Sequence, residues 1–163
     1  MGTNVPDLFE CNILAGTSDV IEYDRVKTRE RRSDRAHMEI KVHKVIMPLF
    51  NEFLNSDMGQ LHETAFCYSS VGTMQDSIRK GLSQYETMYE IKEHFTFYSA
   101  RHSWATIARS SECKISLNAI GECLNHVVGN PIDEKYAVKD YSIFWEINEK
   151  VLSTLDWEPL LKK

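Results

Sequence analysis

No run of 18 apolar residues occurs in the 163-residue sequence, and its N-terminus lacks the basic-then-apolar layout of a signal peptide. Neither a membrane partner nor export is expected, and the default location is the cytoplasm. The four cysteines, Cys11, Cys67, Cys113 and Cys123, contain no pair at two-residue spacing, and the six histidines do not cluster with them at zinc-site distances. A structural metal is therefore not expected; reduced, buried thiols are. A basic excess is also missing. The formal net charge is -5, whereas a nucleic-acid-binding domain normally shows a basic footprint.

Apolar material for a core is present. At 42% hydrophobic with three tryptophans, the chain is expected to form one domain spanning 1–163. Its charge is unevenly spread. Residues 25 to 44 carry eight basic side chains (Arg25, Lys27, Arg29, Arg31, Arg32, Arg35, Lys41, Lys44) against three acidic ones (Glu30, Asp34, Glu39), while from Asp133 onward seven acidic groups face five basic ones. A basic front of this kind can grip a phosphate backbone on one face despite the negative sum.

Met1 to Leu14 reads as a turn and a short helix, with Pro6 suited to the first helical position and Asp7 to the positive end of the helix dipole. Val20–Thr28 alternates as a strand, and in His37–Val42 the residues Met38, Ile40 and Val42 alternate with His37, Glu39 and Lys41. The basic run between them makes a hairpin. Lys44–Asn55 leads into a helix with Pro48 near its start and Leu49, Phe50, Phe53 and Leu54 inward; Asp57–Gly72 has no clean period and reads as a loop. Thr73–Lys92 reads as a core-packing helix with Arg79 and Lys80 outside, Ile115–Leu124 as another, and Asp140–Leu155 as the last, striped by Tyr141, Phe144, Trp145, Asn148, Val151, Leu152 and Leu155. The sum is a mainly α chain with a small antiparallel β-sheet, an α+β fold.

The centre of the chain is TFYSARHSWATIARSS, Thr96 to Ser111. Ser99 is a plausible N-cap, and Arg101 opens a helix whose Trp104, Ile107 and Ala108 have inward spacing. A guanidinium so placed stands at the edge of a packed core rather than in open water. An anion would be held there.

The seven residues Ala100-Arg101-His102-Ser103-Trp104-Ala105-Thr106 closely resemble the second conserved box of tyrosine recombinases, the phage-integrase family of DNA strand-exchange enzymes. Three further stretches fit that resemblance in order. Gly2 to Leu8 is similar to the first box, with Asn4 where the family has its first arginine and Asp7 at the acidic position that orders the arginines. Lys27-Thr28 matches the hairpin lysine, which implies that Lys27 enters the minor groove and protonates the leaving oxygen. Leu124-Asn125-His126 resembles the third box, usually Leu-Gly-His, and ten residues on Tyr136 stands where the nucleophile is expected; Tyr141 is its rival, too far from His126 for the pattern. Tyr98 occupies the place of the family's first histidine, and His102 matches a position usually filled by a buried structural histidine.

The resemblance implies the recombinase catalytic-domain fold, without the DNA-clamping domain that normally precedes it. It implies site-specific recombination or integration for a mobile element, by cleavage through a covalent 3′-phosphotyrosyl intermediate and rejoining. Such chemistry needs a nucleophile in line with the leaving sugar oxygen, positive donors on the non-bridging oxygens, and an acid for the departing alkoxide. Tyr136, Arg101 with His126, and Lys27 fill those places, with no metal and no cofactor. Double-stranded DNA is the expected partner, gripped by Arg25, Arg29, Arg31 and Arg32, and the helix at 140–155 is a candidate surface for self-association on DNA. Because Asn4 and Tyr98 each remove a charged donor, a compensating cation is expected from Arg79 or from Arg29, Arg31 or Arg32. The other readings are a DNA-binding or assembly factor that keeps the fold without the chemistry, and a helical interaction domain with coincidental motifs.

Overall fold

A three-stranded antiparallel sheet forms one layer, in the order β1 (Asn12–Ile13), β2 (Val20–Asp24), β3 (His37–Lys41). The structure, a computed structural model, describes residues 3–13, 17–54, 68–126 and 139–158. Tyr23 pairs with Met38 and Ile21 with Ile40, and this alternate set faces the core. The other face carries Glu22, Asp24, His37 and Glu39, where the His37 ring has Asp24 at 3.0 Å, Glu39 at 3.7 Å and Glu22 at 3.9 Å. The sequence assigned Asn12 and Ile13 to the first helix; a two-residue strand is too short for alternation to register. β2 also ends earlier than its alternation suggests. The Arg25 carbonyl accepts from the amides of Thr28 at 3.0 Å and Arg29 at 2.8 Å, which curls Val26–Thr28 into a turn and Arg29–Arg31 into a short 3-10 helix.

Around the sheet stand α1 (Val5–Phe9), α2 (Met47–Leu54), α3 (Val71–Met88), α4 (Phe97–Arg109), α5 (Leu117–Cys123) and α6 (Tyr141–Leu152). The described chain is thus mainly helical with a small antiparallel sheet. The core joins Ile21, Tyr23, Met38 and Ile40 of the sheet to Trp104 and Ala108 of α4, Ile120 and Cys123 of α5, and Phe144 and Val151 of α6. Trp104 Nε1 donates to Asn148 Oδ1 at 3.0 Å inside this core, so α4 and α6 share a satisfied polar contact as well as apolar area. Of the inner face expected in α2, Phe50 packs against the core; the side chains at 49, 53 and 54 lie outside the described residues, as does most of the expected loop at 57–72.

α4 starts four residues before Arg101, so Arg101 does not open it. Its cap is Thr96, not Ser99: the Thr96 hydroxyl accepts from the Ser99 amide at 3.2 Å and the Ser99 hydroxyl accepts from the Thr96 amide at 3.0 Å. Ser99 is therefore the far half of a capping box, a role that serine fills in place of the usual glutamate or glutamine. Arg101, Trp104 and Ala108 then fall on one buried stripe at spacings of three and four.

α6 lies along β3, an edge strand whose outward carbonyls would otherwise be open. Tyr141 Oη donates to the His37 carbonyl at 3.1 Å and Trp145 Nε1 to the Glu39 carbonyl at 3.0 Å. α6 therefore closes the edge of its own sheet. Ile143, 52% exposed, is on its outer side.

α3 departs from expectation most. Its periodicity predicts core packing, yet Met74 is its one fully buried side chain, and Tyr85, Met88 and Tyr89 are exposed. Their near-helical spacing reflects an amphipathic stripe only half covered, by α1. The C-terminal end of α3 is closed by Glu90, a left-handed residue with φ 51°, and by Ile91 N–H donating to the Glu86 carbonyl at 2.9 Å.

Cys11, Cys113 and Cys123 are buried and free, and burial lifts the Cys11 and Cys123 thiols to about 12; Cys67 lies outside the described residues. Among the described residues no helix is long and apolar enough to cross a membrane.

Candidate functional site

The last carbonyls of α5 have no partner within their own helix, and two arginines from distant elements supply donors to the turn that follows. Arg101 Nη2, on α4, donates to the Leu124 carbonyl at 2.6 Å. Arg25 Nη1, just past β2, donates to the Asn125 carbonyl at 2.8 Å. Cations at this end of a helix also complement its dipole. Arg101 Nη2 lies 2.9 Å from His126 Nε2; because a guanidinium only donates, that nitrogen accepts and the imidazole proton sits on Nδ1.

The electrostatics follow from crowding. Arg101 is 6% exposed, and its proton affinity is lowered first by burial and next by the Arg25 charge. His126 is exposed at its surface, yet it is held below the ordinary histidine value first by partial desolvation of the ring, then by Arg101 and Arg25. Two guanidiniums and an imidazole thus share one turn, with Asp7 as the buried counter-charge. Asp7 accepts from the Val26 amide at 2.9 Å, and burial raises its pKa against the pull of that amide and of Arg25. An added anion would relieve the repulsion between the arginines.

Other residues of the sequence pattern are placed as follows. Asn4 is the N-cap residue of α1 without a side-chain capping bond. Tyr98, half exposed, meets the ring of His102 edge-on at 4.8 Å between centroids. His102 is exposed, so the buried structural role expected of it is corrected: the stripe that buries Arg101 and Trp104 turns position 102 outward. Lys27 is exposed in the turn two residues beyond Arg25. Tyr136 lies outside the described residues. Tyr141 donates its hydroxyl proton to the His37 carbonyl, and burial lifts its pKa to about 12.

The basic hairpin is more internally engaged than its composition implies. Arg29 pairs with Glu10, and Arg32 chelates Asp34 at 2.9 and 2.7 Å while reaching Asn125 Oδ1 at 3.3 Å. Arg31 is exposed. Lys139, three residues after Tyr136, donates to Asp34 at 2.8 Å, so the hairpin tip and the chain entering α6 are tied together. Arg79 is on exposed α3, 3.0 Å from Asp76. Among the described residues, the cation that stands beside Arg101 is Arg25, which the resemblance counts among the DNA-gripping residues and not among the compensating ones. Nothing local in the sequence marks it out, because its position depends on a contact with Asn125.

Among the described residues, no group of three histidine, cysteine or carboxylate side chains could hold a metal ion. No protein-family model, curated protein or solved structure matches the chain.

Proposed function

We propose that the chain is the DNA breaking and rejoining domain of a tyrosine recombinase of the mobile-element integrase type, with the recombinase catalytic-domain fold. The observation that carries this reading is the meeting of Arg101, Arg25 and His126 on one turn, beside the hairpin that bears Lys27. It is a metal-free set of donors suited to the two non-bridging oxygens of a phosphodiester. Arg25 takes the place vacated at Asn4.

In this scheme Tyr136 loses its hydroxyl proton to solvent and attacks phosphorus in line with the 5′ oxygen of the next nucleotide, forming the P–O bond to tyrosine as the P–O5′ bond breaks. Negative charge growing on the non-bridging oxygens is met by Arg101, Arg25 and His126, and Lys27 hands its proton to the departing 5′ alkoxide. The products are a 3′-phosphotyrosyl bond and a 5′ hydroxyl, and attack by a hydroxyl from another strand reverses the step to rejoin. The phosphodiester energy is conserved in the tyrosyl ester. Exposed Lys27 and Arg31 contact the DNA backbone, and self-association on DNA uses the outer side of α6 around Ile143, since its inner side is spent on β3.

The test is a pool of nicked suicide duplexes of randomised sequence, on which the short downstream fragment bearing the new 5′ hydroxyl diffuses away and leaves the adduct trapped. The wild-type chain is expected to form a covalent adduct and the Tyr136→Phe chain none. DNA binding with no wild-type adduct would instead favour a DNA-binding or assembly factor that retains the fold without the chemistry.

A further inference from the structure

Asn125 is backbone-strained, buried and bonded to three parts of the hairpin. Its φ of 55° lies in the left-handed region where glycine is easiest, and it is 4% exposed. Its Nδ2 donates to the Ala36 carbonyl at 2.6 Å, its Oδ1 accepts from Arg32 at 3.3 Å, and its own carbonyl accepts from Arg25 at 2.8 Å. Ala36 immediately precedes β3, Arg25 immediately follows β2 and Arg32 follows the 3-10 turn, so one side chain and one carbonyl hold the ends of both arms and the tip of the hairpin. The hairpin needs such a hold: Arg35 and Ala36 are consecutive left-handed residues, with φ 54° and 53°.

A glycine would meet the backbone requirement at 125 at less steric cost, but it would remove both side-chain bonds. What asparagine adds is a fixed distance between two chemical groups on separate elements. We propose that Asn125 is a positioning residue whose carboxamide latches the hairpin onto the turn bearing His126, and so fixes Lys27 relative to the bound phosphate. This rests on the strand-exchange reading, in which Lys27 protonates the leaving oxygen.

The discriminating substrate is a suicide duplex with a 5′-bridging phosphorothiolate at the cleaved bond, because a thiolate leaves without needing an acid. Asn125→Gly keeps the left-handed backbone and the carbonyl that Arg25 uses; Asn125→Asp keeps the volume and loses the donor to Ala36. On ordinary DNA both variants are expected to cleave at least about tenfold more slowly in a single turnover, a fraction of what a general acid contributes. On the phosphorothiolate they should come within about twofold of wild type, as Lys27→Ala should, while Arg101→Ala stays defective on both. Equal loss on the two substrates, or no loss on either, overturns the positioning role while leaving the enzyme reading standing. No adduct from the wild type on either substrate overturns both.

Discussion

Arg25 and Arg101 dock on consecutive carbonyls of one turn, Arg25 on Asn125 at 2.8 Å and Arg101 on Leu124 at 2.6 Å. Two like charges held this close are tolerable because the turn is the electronegative end of α5 and because Asp7 lies near both. Their mutual repulsion is what a phosphate would discharge. Arg25→Ala should therefore slow adduct formation by about a hundredfold, the order of losing one preorganised donor. Arg101→Ala should be at least as damaging and Arg79→Ala without effect, all measured by single-turnover cleavage of a suicide duplex.

His126 supplies a pH test. Partial desolvation, Arg101 and Arg25 lower its pKa from the ordinary 6.5, so between the lowered value and 6.5 the folded chain binds fewer protons than the unfolded one. Stability should then rise with pH through that window and fall on acidification below about 6.5. Thermal melts from pH 5 to 8 check the sign, with His126→Gln flattening this part of the profile. In an imidazole titration by NMR, Arg25→Met should move the His126 midpoint upward; an unmoved midpoint would mean the two groups do not interact.

Tyr141→Phe separates the candidate nucleophile, Tyr136, from its rival. The ring still packs on Phe144 and His37, but the hydrogen bond to the His37 carbonyl is lost. A destabilisation of about 1 kcal/mol is expected, that of one ordinary hydrogen bond, with adduct formation intact. Chemical denaturation and the suicide duplex read the two halves of this prediction. Loss of the adduct with unchanged stability would make Tyr141 the nucleophile.

Glu90→Gly tests the end of α3. A non-glycine residue at φ 51° carries a steric penalty that glycine does not, so the substitution should stabilise the chain by about 1 kcal/mol, seen as a raised denaturation midpoint. The side chain is exposed and little packing is lost with it.

How far the sequence reached depends on the range of the interaction. The β2–β3 pair, α6 and the inward stripe of Arg101, Trp104 and Ala108 follow from periods of 2 and 3.6, which are local. The α4 cap slipped by three residues because Thr96 and Ser99 bond reciprocally and either could lead. The exposure of Tyr85, Met88 and Tyr89 was not legible, since a stripe shows which side chains share a face and not whether anything covers it. Arg25 was legible as a cation but not as the neighbour of Arg101, a relation made through Asn125, 100 residues further along the chain.

That separation also bears on how the protein is made. The bonds joining the hairpin to the later chain span from 89 to 106 residues, while Arg101 and Leu124 are only 23 apart. Long loops close slowly and late, so on a ribosome the sheet and α4 can form before Arg25 has its carbonyl on the turn after α5. Arg25 and Arg101 would come together in one step, when Asn125 clears the exit tunnel and finds Ala36. A nascent chain stalled before that point would be folded in part, with its hairpin unlatched.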